Sequence, residues 1–187
     1  MTSLTVGDAL LLVDVQNDFC PGGALPIRQG DQIIPVLNRW LLAAGEHGVP
    51  VYASRDWHPR GHLSFAPETG EWPPHCIQDT DGARFHPDLD LPDDVVVITK
   101  GVRFDHDQYS AFDATGLIER LRRDGINRLF VGGLALDICV RATVRDALLA
   151  GFEVVLLVDG TRPVTEDGGR KTLDELKSAG AVLEVEE

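Results

Sequence analysis

Six short apolar runs, at residues 9–15, 49–54, 95–99, 127–133, 152–158 and 181–185, recur along the chain with helical periodicity between most of them. Continuous apolar runs of this length read as strands buried on both faces, which a parallel sheet covered by helices provides. The first helical pattern opens at Asp31, a candidate N-cap. It carries Ile34, Leu37, Leu41 and Ala44 on one face, tolerates Pro35 in its first turn and has Gly48 after its last. Further helical patterns fit residues 114–123, 137–150 and 166–179. This alternation predicts an α/β fold, a three-layer doubly wound parallel sheet of about six strands. The length of 187 residues fits a single domain over 1–187.

One stretch interrupts the alternation. Residues 56–94 hold six of the 11 prolines, four of the six histidines and two of the three tryptophans. A loop this long is usually functional or disordered, and its aromatic content favours an ordered excursion beside a site. Seventeen Lys and Arg against 30 Asp and Glu leave a net charge of −13, a field that repels phosphate backbones and anionic lipid. Nucleic acid and membrane partners are therefore not expected, and a small neutral ligand remains open. The first residues have no basic stretch and no long apolar segment, so a cytoplasmic protein is expected. Cys20, Cys76 and Cys139 are odd in number and widely spaced, which predicts reduced thiols rather than a disulfide framework.

Ligands of open parallel sheets sit beyond the carboxyl ends of the strands. The apolar runs end at Asp14, at Arg55 and Asp56, at Lys100, at Gly132-Gly133-Leu134-Ala135 ahead of Cys139, and at Asp159. Cys139 falls in the first turn of a helix expected from about Asp137, where free N–H groups and a nearby Lys100 would favour a thiolate. Asp14 is placed to accept the thiol proton and return it to a leaving amine. The glycine pair before that helix suits a turn aiming backbone N–H groups beside the nucleophile, or simply close packing. Asp56 and His58, two apart in an extended segment, share one side of the backbone and suit a metal ion. His62 and His75 add imidazoles, a donor set fitting zinc, iron or manganese. His86 reads as structural and Trp57 as a packing residue facing away. Phe19, Trp72 and Tyr109 lie in loops that would wall a flat apolar ring.

The segments Leu12-Val-Asp-Val-Gln-Asn-Asp-Phe19, Arg55-Asp-Trp-His-Pro59, Trp72-Pro-Pro-His-Cys76, Lys100-Gly101 and Asp137-Ile-Cys-Val140 resemble nicotinamidases of the isochorismatase-like hydrolase family, over nearly the whole chain. The resemblance implies hydrolysis of nicotinamide to nicotinate and ammonia through a cysteine thioester, a step of NAD salvage, with pyrazinamide as a close analogue. It implies Cys139 as nucleophile, Asp14 as proton acceptor and donor, and Lys100 as the stabilising charge. One divalent metal would be held by Asp56, His58 and His75, with His62 as a ligand or behind one and Glu68 as an auxiliary. Phe19 and Trp72 match ring-sandwiching positions. Leu134 and Ala135 match an oxyanion turn that often carries a cis peptide, with Cys139 as the other oxyanion donor. Leu136 and Ile138 depart from common family residues and bear on the pocket floor, so another small amide or a carbamate is the rival substrate. A non-catalytic metal-binding module is the rival of a different class. Cys20 and Cys76 have no assigned role, and a homo-oligomer is left open.

Overall fold

The computed structural model describes residues 3–185. Six parallel strands form one sheet: β1 (Asp8–Val13), β2 (Val51–Asp56), β3 (Val96–Lys100), β4 (Arg128–Leu134), β5 (Glu153–Arg162) and β6 (Val182–Glu184). Their spatial order is β3-β2-β1-β4-β5-β6. The chain builds outward from β1 in one direction, then returns to lie beside β1 as β4 and builds outward in the other. The crevice of such a sheet opens between β1 and β4, above their carboxyl ends.

Side-chain alternation divides the core in two. Leu10 and Leu12 of β1 join Phe130, Val155 and the buried face of α1 (Ile34–His47), which is Ile34, Leu37, Trp40, Leu41 and Ala44. Ala9, Leu11 and Val13 point the other way, onto Leu117 and Leu121 of α2 (Leu117–Arg123), Val144 and Ala147 of α3 (Arg141–Leu149) and Leu176 of α4 (Glu166–Ser178). Right-handed crossovers require this, because connections running opposite ways along the sheet cover opposite faces. Each large apolar side chain buried as Leu37 and Trp40 are contributes about 1.5–3 kcal/mol.

Several boundaries differ from the pattern in the sequence. Asp31 is not the cap of α1. It lies in a 3-10 turn, Gly30–Ile33, and the helix starts at Ile34, where Pro35 presets the first turn without a side-chain cap. Ala114 and Gly116 have φ of 52° and 77°, which delays α2 to Leu117. The strand expected to close at Asp159 runs on to Arg162. Extra residues bulge out of β5 between the Val131–Leu156 and Gly133–Thr161 pairs, and the ladder then resumes. The proline-rich excursion is ordered, with a 3-10 turn at Asp81–Ala83, isolated bridges His58–Ile77 and Phe65–Trp72, and buried Phe65, Cys76, Ala83 and Leu89. All three cysteines are free and buried. No helix among the described residues is long and apolar enough to cross a membrane.

Two features of the central β1–β4 pair carry predictions. Gly133 has φ of 126°, and a Cβ there would lie 2.0 Å from the carbonyl oxygen of Val13. Gly133→Ala is therefore expected to cost more than about 3 kcal/mol, seen as loss of soluble protein or a large drop in Tm. At the opposite end of the same pair, Arg128 donates from Nε and Nη2 to the two oxygens of buried Asp8, at 2.8 and 2.7 Å. The Thr5 backbone N–H adds a bond of 2.7 Å. Burial pushes the Asp8 carboxyl up, but Arg128 and Thr5 outweigh it and hold it below 3.8. A depressed carboxyl stabilises the fold above its unfolded pKa, and that stability is lost as pH falls through the folded one. Asp8→Asn should cost about 1–3 kcal/mol at neutral pH. The difference in Tm between parent and variant should shrink as pH is lowered from about 5 toward 3.

Candidate active site

Three side chains from three strand ends meet beneath the crevice. Asp14 follows β1 at φ of 50°, a sparsely populated conformation for a non-glycine residue. Its carboxylate is fully buried, and Oδ1 accepts a 2.6 Å bond from the Ser54 hydroxyl. Lys100, the last residue of β3, is equally buried. Its Nζ donates to Asp56 Oδ1 at 2.5 Å, to the Gln108 carbonyl at 3.2 Å and to Cys139 Sγ at 3.7 Å. Asp14 Oδ2 is ion-paired with the same ammonium at 2.7 Å. Cys139 is not in the first turn of an α-helix. It sits in a single π-helical turn, Leu136–Val140, ahead of α3, and the preceding Leu134–Ala135 peptide is cis.

The electrostatics revise one expectation. Burial, together with Asp14 and Asp56, holds the Cys139 thiol well above its ordinary range, and Lys100 only partly opposes this. The resting group is the thiol, not the thiolate that Lys100 and a helix N-terminus alone would favour. Burial, with help from Asp56, also raises Asp14 against the pull of Lys100. Burial disfavours the Lys100 charge, but Asp14, Asp56 and Cys139 hold its pKa well above the usual lysine value. The result is a buried cation shared by two carboxylates and a protonated sulfur.

A second cluster adjoins the first. One donor atom each from Asp56, His58 and His75 lies within 4.8 Å of the others, and all three residues are buried. His58 Nδ1 faces the His75 carbonyl at 3.2 Å, and His75 Nδ1 faces the Pro73 carbonyl at 2.7 Å. A carbonyl only accepts, so both Nδ1 atoms carry protons and both Nε2 lone pairs are free. Burial and the neighbouring His75 and His62 lower the His58 pKa to about 3, which keeps its ring neutral. A carboxylate and two imidazoles with converging donor atoms fit a divalent metal ion. The ring of His62 packs 4.4 Å from that of His58, with Nδ1 bonded to the Ser64 hydroxyl at 2.7 Å and Nε2 to the His106 carbonyl at 3.1 Å. Both its nitrogens are engaged. Glu68 is exposed, its Oε1 near Gly61, and stands outside the cluster. The backbone of Gly101 passes so close that a Cβ would lie 2.7 Å from His58 Nε2.

The cavity joining the clusters is walled by Phe19, Trp72, Tyr109 and Ile138, and Ala135, Cys139, Asp56, His58 and His75 also line it. Phe19 packs 5.5 Å from the His75 ring, and Trp72 Nε1 donates to the Tyr109 hydroxyl at 3.1 Å. Ile138 thus faces the cavity, whereas Leu136 and Leu134 belong to the core. Trp57 turns aside and lies under the Arg55 guanidinium at 4.0 Å. His86 is remote, its backbone N–H bonded to Val15.

Leu25, Ile27, Ser64, Asp107 and Val164 also line the cavity, and nothing in their local sequence marks them. Three polar residues hold the site from behind. Gln16 accepts from the Asp56 N–H at 2.8 Å and donates to the Asp56 carbonyl at 2.7 Å, continuing the ladder where β1 has ended. Asp18 accepts from the Cys76 N–H at 2.7 Å, beside His75. Asp137 accepts from the N–H groups of Val164 and Thr165, tying the Cys139 turn to the start of α4. Gln16 and Asp18 stand in the first quoted segment and Asp137 in the last, so a polar residue inside an apolar strand end was the available signal.

The isochorismatase domain family matches residues 8–187. A nicotinamidase of Escherichia coli is 41% identical over 199 residues, covering 94% of this chain and 93% of its own. A pyrazinamidase of Pyrococcus horikoshii in complex with zinc superposes with a TM-score of 0.94 at 44% identity, covering 96% and 99% of the two chains. A protein named PnC1 from L. infantum in complex with nicotinate gives 0.91 at 39% identity, covering 99% and 96%.

Proposed function

Because this chain belongs to the isochorismatase family, matched over residues 8–187, we propose that it is a metal-dependent nicotinamidase. It would release ammonia from nicotinamide, leaving nicotinate for pyridine nucleotide salvage, and from pyrazinamide, leaving pyrazinoate. The observation that carries this reading is the meeting of Asp14, Lys100 and Cys139. The Asp14 carboxylate is fully buried, its Oδ2 lies 2.7 Å from Lys100 Nζ, and one of its oxygens lies within 4.8 Å of Cys139 Sγ. A base in that state beside a protonated thiol is poised to take its proton.

Cys139 is the nucleophile. Its sulfur attacks the carboxamide carbon as the thiol proton passes to Asp14, and Lys100, 3.7 Å from Sγ, stabilises the negative sulfur that develops. The oxyanion falls to N–H groups of the turn from Ala135 to Cys139. Asp14 then gives the proton to nitrogen, the C–N bond breaks, and ammonia leaves a thioester. A water molecule attacks the thioester as Asp14 takes one of its protons. The C–S bond breaks, and Asp14 returns the proton to sulfur. One carboxylate alternates between base and acid, which suits a group whose pKa burial has raised.

Asp56, His58 and His75 would hold the metal ion, which supplies an electrophilic point for the ring nitrogen of the substrate. Zinc suits the donor set, with iron and manganese as alternatives. His62 supports His58 from behind, while Phe19 and Trp72 bracket the ring. The test is ammonia release by zinc-loaded protein from nicotinamide, pyrazinamide and a panel of aliphatic amides and carbamates. Preference for the two aromatic amides is expected. Turnover confined to aliphatic amides or carbamates would move the substrate assignment, with Ile138 as the pocket residue to blame. No turnover of any substrate would favour a metal-binding module.

A further inference from the structure

The charges around the second cluster do not balance a divalent ion with Asp14, Asp56 and Lys100 alone. Asp56 already gives Oδ1 to Lys100 at 2.5 Å, and Asp14 shares the same ammonium. Two carboxylates against one buried cation leave a single net negative charge for an ion of charge +2. That ion would also sit near Lys100 in a region of low dielectric. A further acidic group beside His58 would offset this.

Such a group is present. A carboxylate oxygen of Asp107 lies within 4.8 Å of ring nitrogens of His58 and His62, two residues that are almost fully buried. Asp107 is half-buried and lines the same cavity. Its position is built rather than incidental, because the adjacent Gln108 pins both ends of the loop. The Gln108 side chain accepts from the Gly101 N–H at 2.8 Å and donates to the Asp113 carbonyl, and its own carbonyl receives Lys100. Asp107 Oδ1 takes the Gln108 N–H at 3.0 Å, which fixes the carboxylate plane.

Resting on the metal reading above, we infer that Asp107 is a further carboxylate of the metal centre, placed beside His58 and His62. With Asp107 counted, two net negative charges meet a divalent ion and the buried region is neutral. Direct ligation and contact through one bound water have the same consequence for affinity, since residues that orient or support metal ligands typically contribute a factor of 10–100.

The experiment is equilibrium competition of zinc-loaded protein against a chromophoric chelator, with no substrate present. Asp107→Asn should release zinc at about 10- to 100-fold lower chelator strength, with Tm of the metal-free protein unchanged. Asp105→Asn removes the same charge from the same loop, where Asp105 is partly exposed and paired with Arg103 at 2.9 Å. It should hold zinc like the parent. Equal zinc affinity in Asp107→Asn and the parent overturns the inference, as does an equal loss in Asp105→Asn, which would indicate only the general field of the loop. His58→Ala belongs in the same titration. If it too retains zinc, the metal reading itself is wrong, a failure distinguishable from that of Asp107 alone.

Discussion

Replacing Cys139 by alanine is expected to lower kcat for nicotinamide hydrolysis by about 10⁴-fold or more, the scale seen when a covalent nucleophile is removed from a site that otherwise survives. Zinc content and nicotinamide binding should be nearly unchanged. Asp56, His58 and His75 do not depend on the sulfur, and Phe19 and Trp72 reach the cavity from other loops. The fold should tolerate the change, because Cys139 contributes one small buried group to the core under α3 and the vacated volume is that of one sulfur. Cys139→Ser should be nearly as inactive. The same burial and carboxylates that hold the thiol protonated would act on a hydroxyl, which starts from a far higher pKa. Ammonia release by metal-loaded Cys139→Ala within tenfold of the parent would sink the thioester pathway and leave direct attack of water as the alternative.

The sequence makes some of this site legible and hides the rest for identifiable reasons. Asp14, Asp56 and Lys100 could be read because each terminates an apolar run, and in a parallel sheet run ends converge on one edge whatever the loops do. Asp56 and His58 could be paired by the two-residue period of extended chain. The protonation state of Cys139 could not be read. It depends on how many carboxylates share Lys100 and how deeply all four groups are buried, which are properties of the assembled crevice. Nor could the direction of residues 134–138 be read, since a cis peptide and a π-helical turn follow one another there and no single period applies. That is why Ile138 reaches the cavity while Leu134 goes to the core. Asp31 failed as a cap for a simpler reason, Pro35 having set where the helix begins. Ile27, Asp107 and Val164 come from segments far apart in the chain, and only the crossovers of the sheet bring them to one wall.

His58→Ala should fail in a different way from Cys139→Ala, and the contrast separates the two halves of the site. His58 stands in two groups of converging donors, with Asp56 and His75 in one and His62 and Asp107 in the other. Its free Nε2 is not replaceable by a neighbour, because both nitrogens of His62 are committed to Ser64 and His106. Loss of one of three donors from a cluster of this kind should weaken zinc binding by more than about 100-fold, beyond the range for a supporting residue. Zinc content after dialysis should fall to near zero. Because the nucleophile, its base and Lys100 stay in place, the expected kinetic signature is a raised KM together with a fall in kcat/KM of about 10²- to 10³-fold, the loss of a group that orients the ring rather than one that reacts. Chelation of the parent should reproduce this signature. Zinc added back in stoichiometric amount should restore the parent and not His58→Ala. Full zinc occupancy in the variant, or chelated parent turning over at the original rate, would remove the metal from the mechanism and leave Phe19 and Trp72 alone to position the substrate.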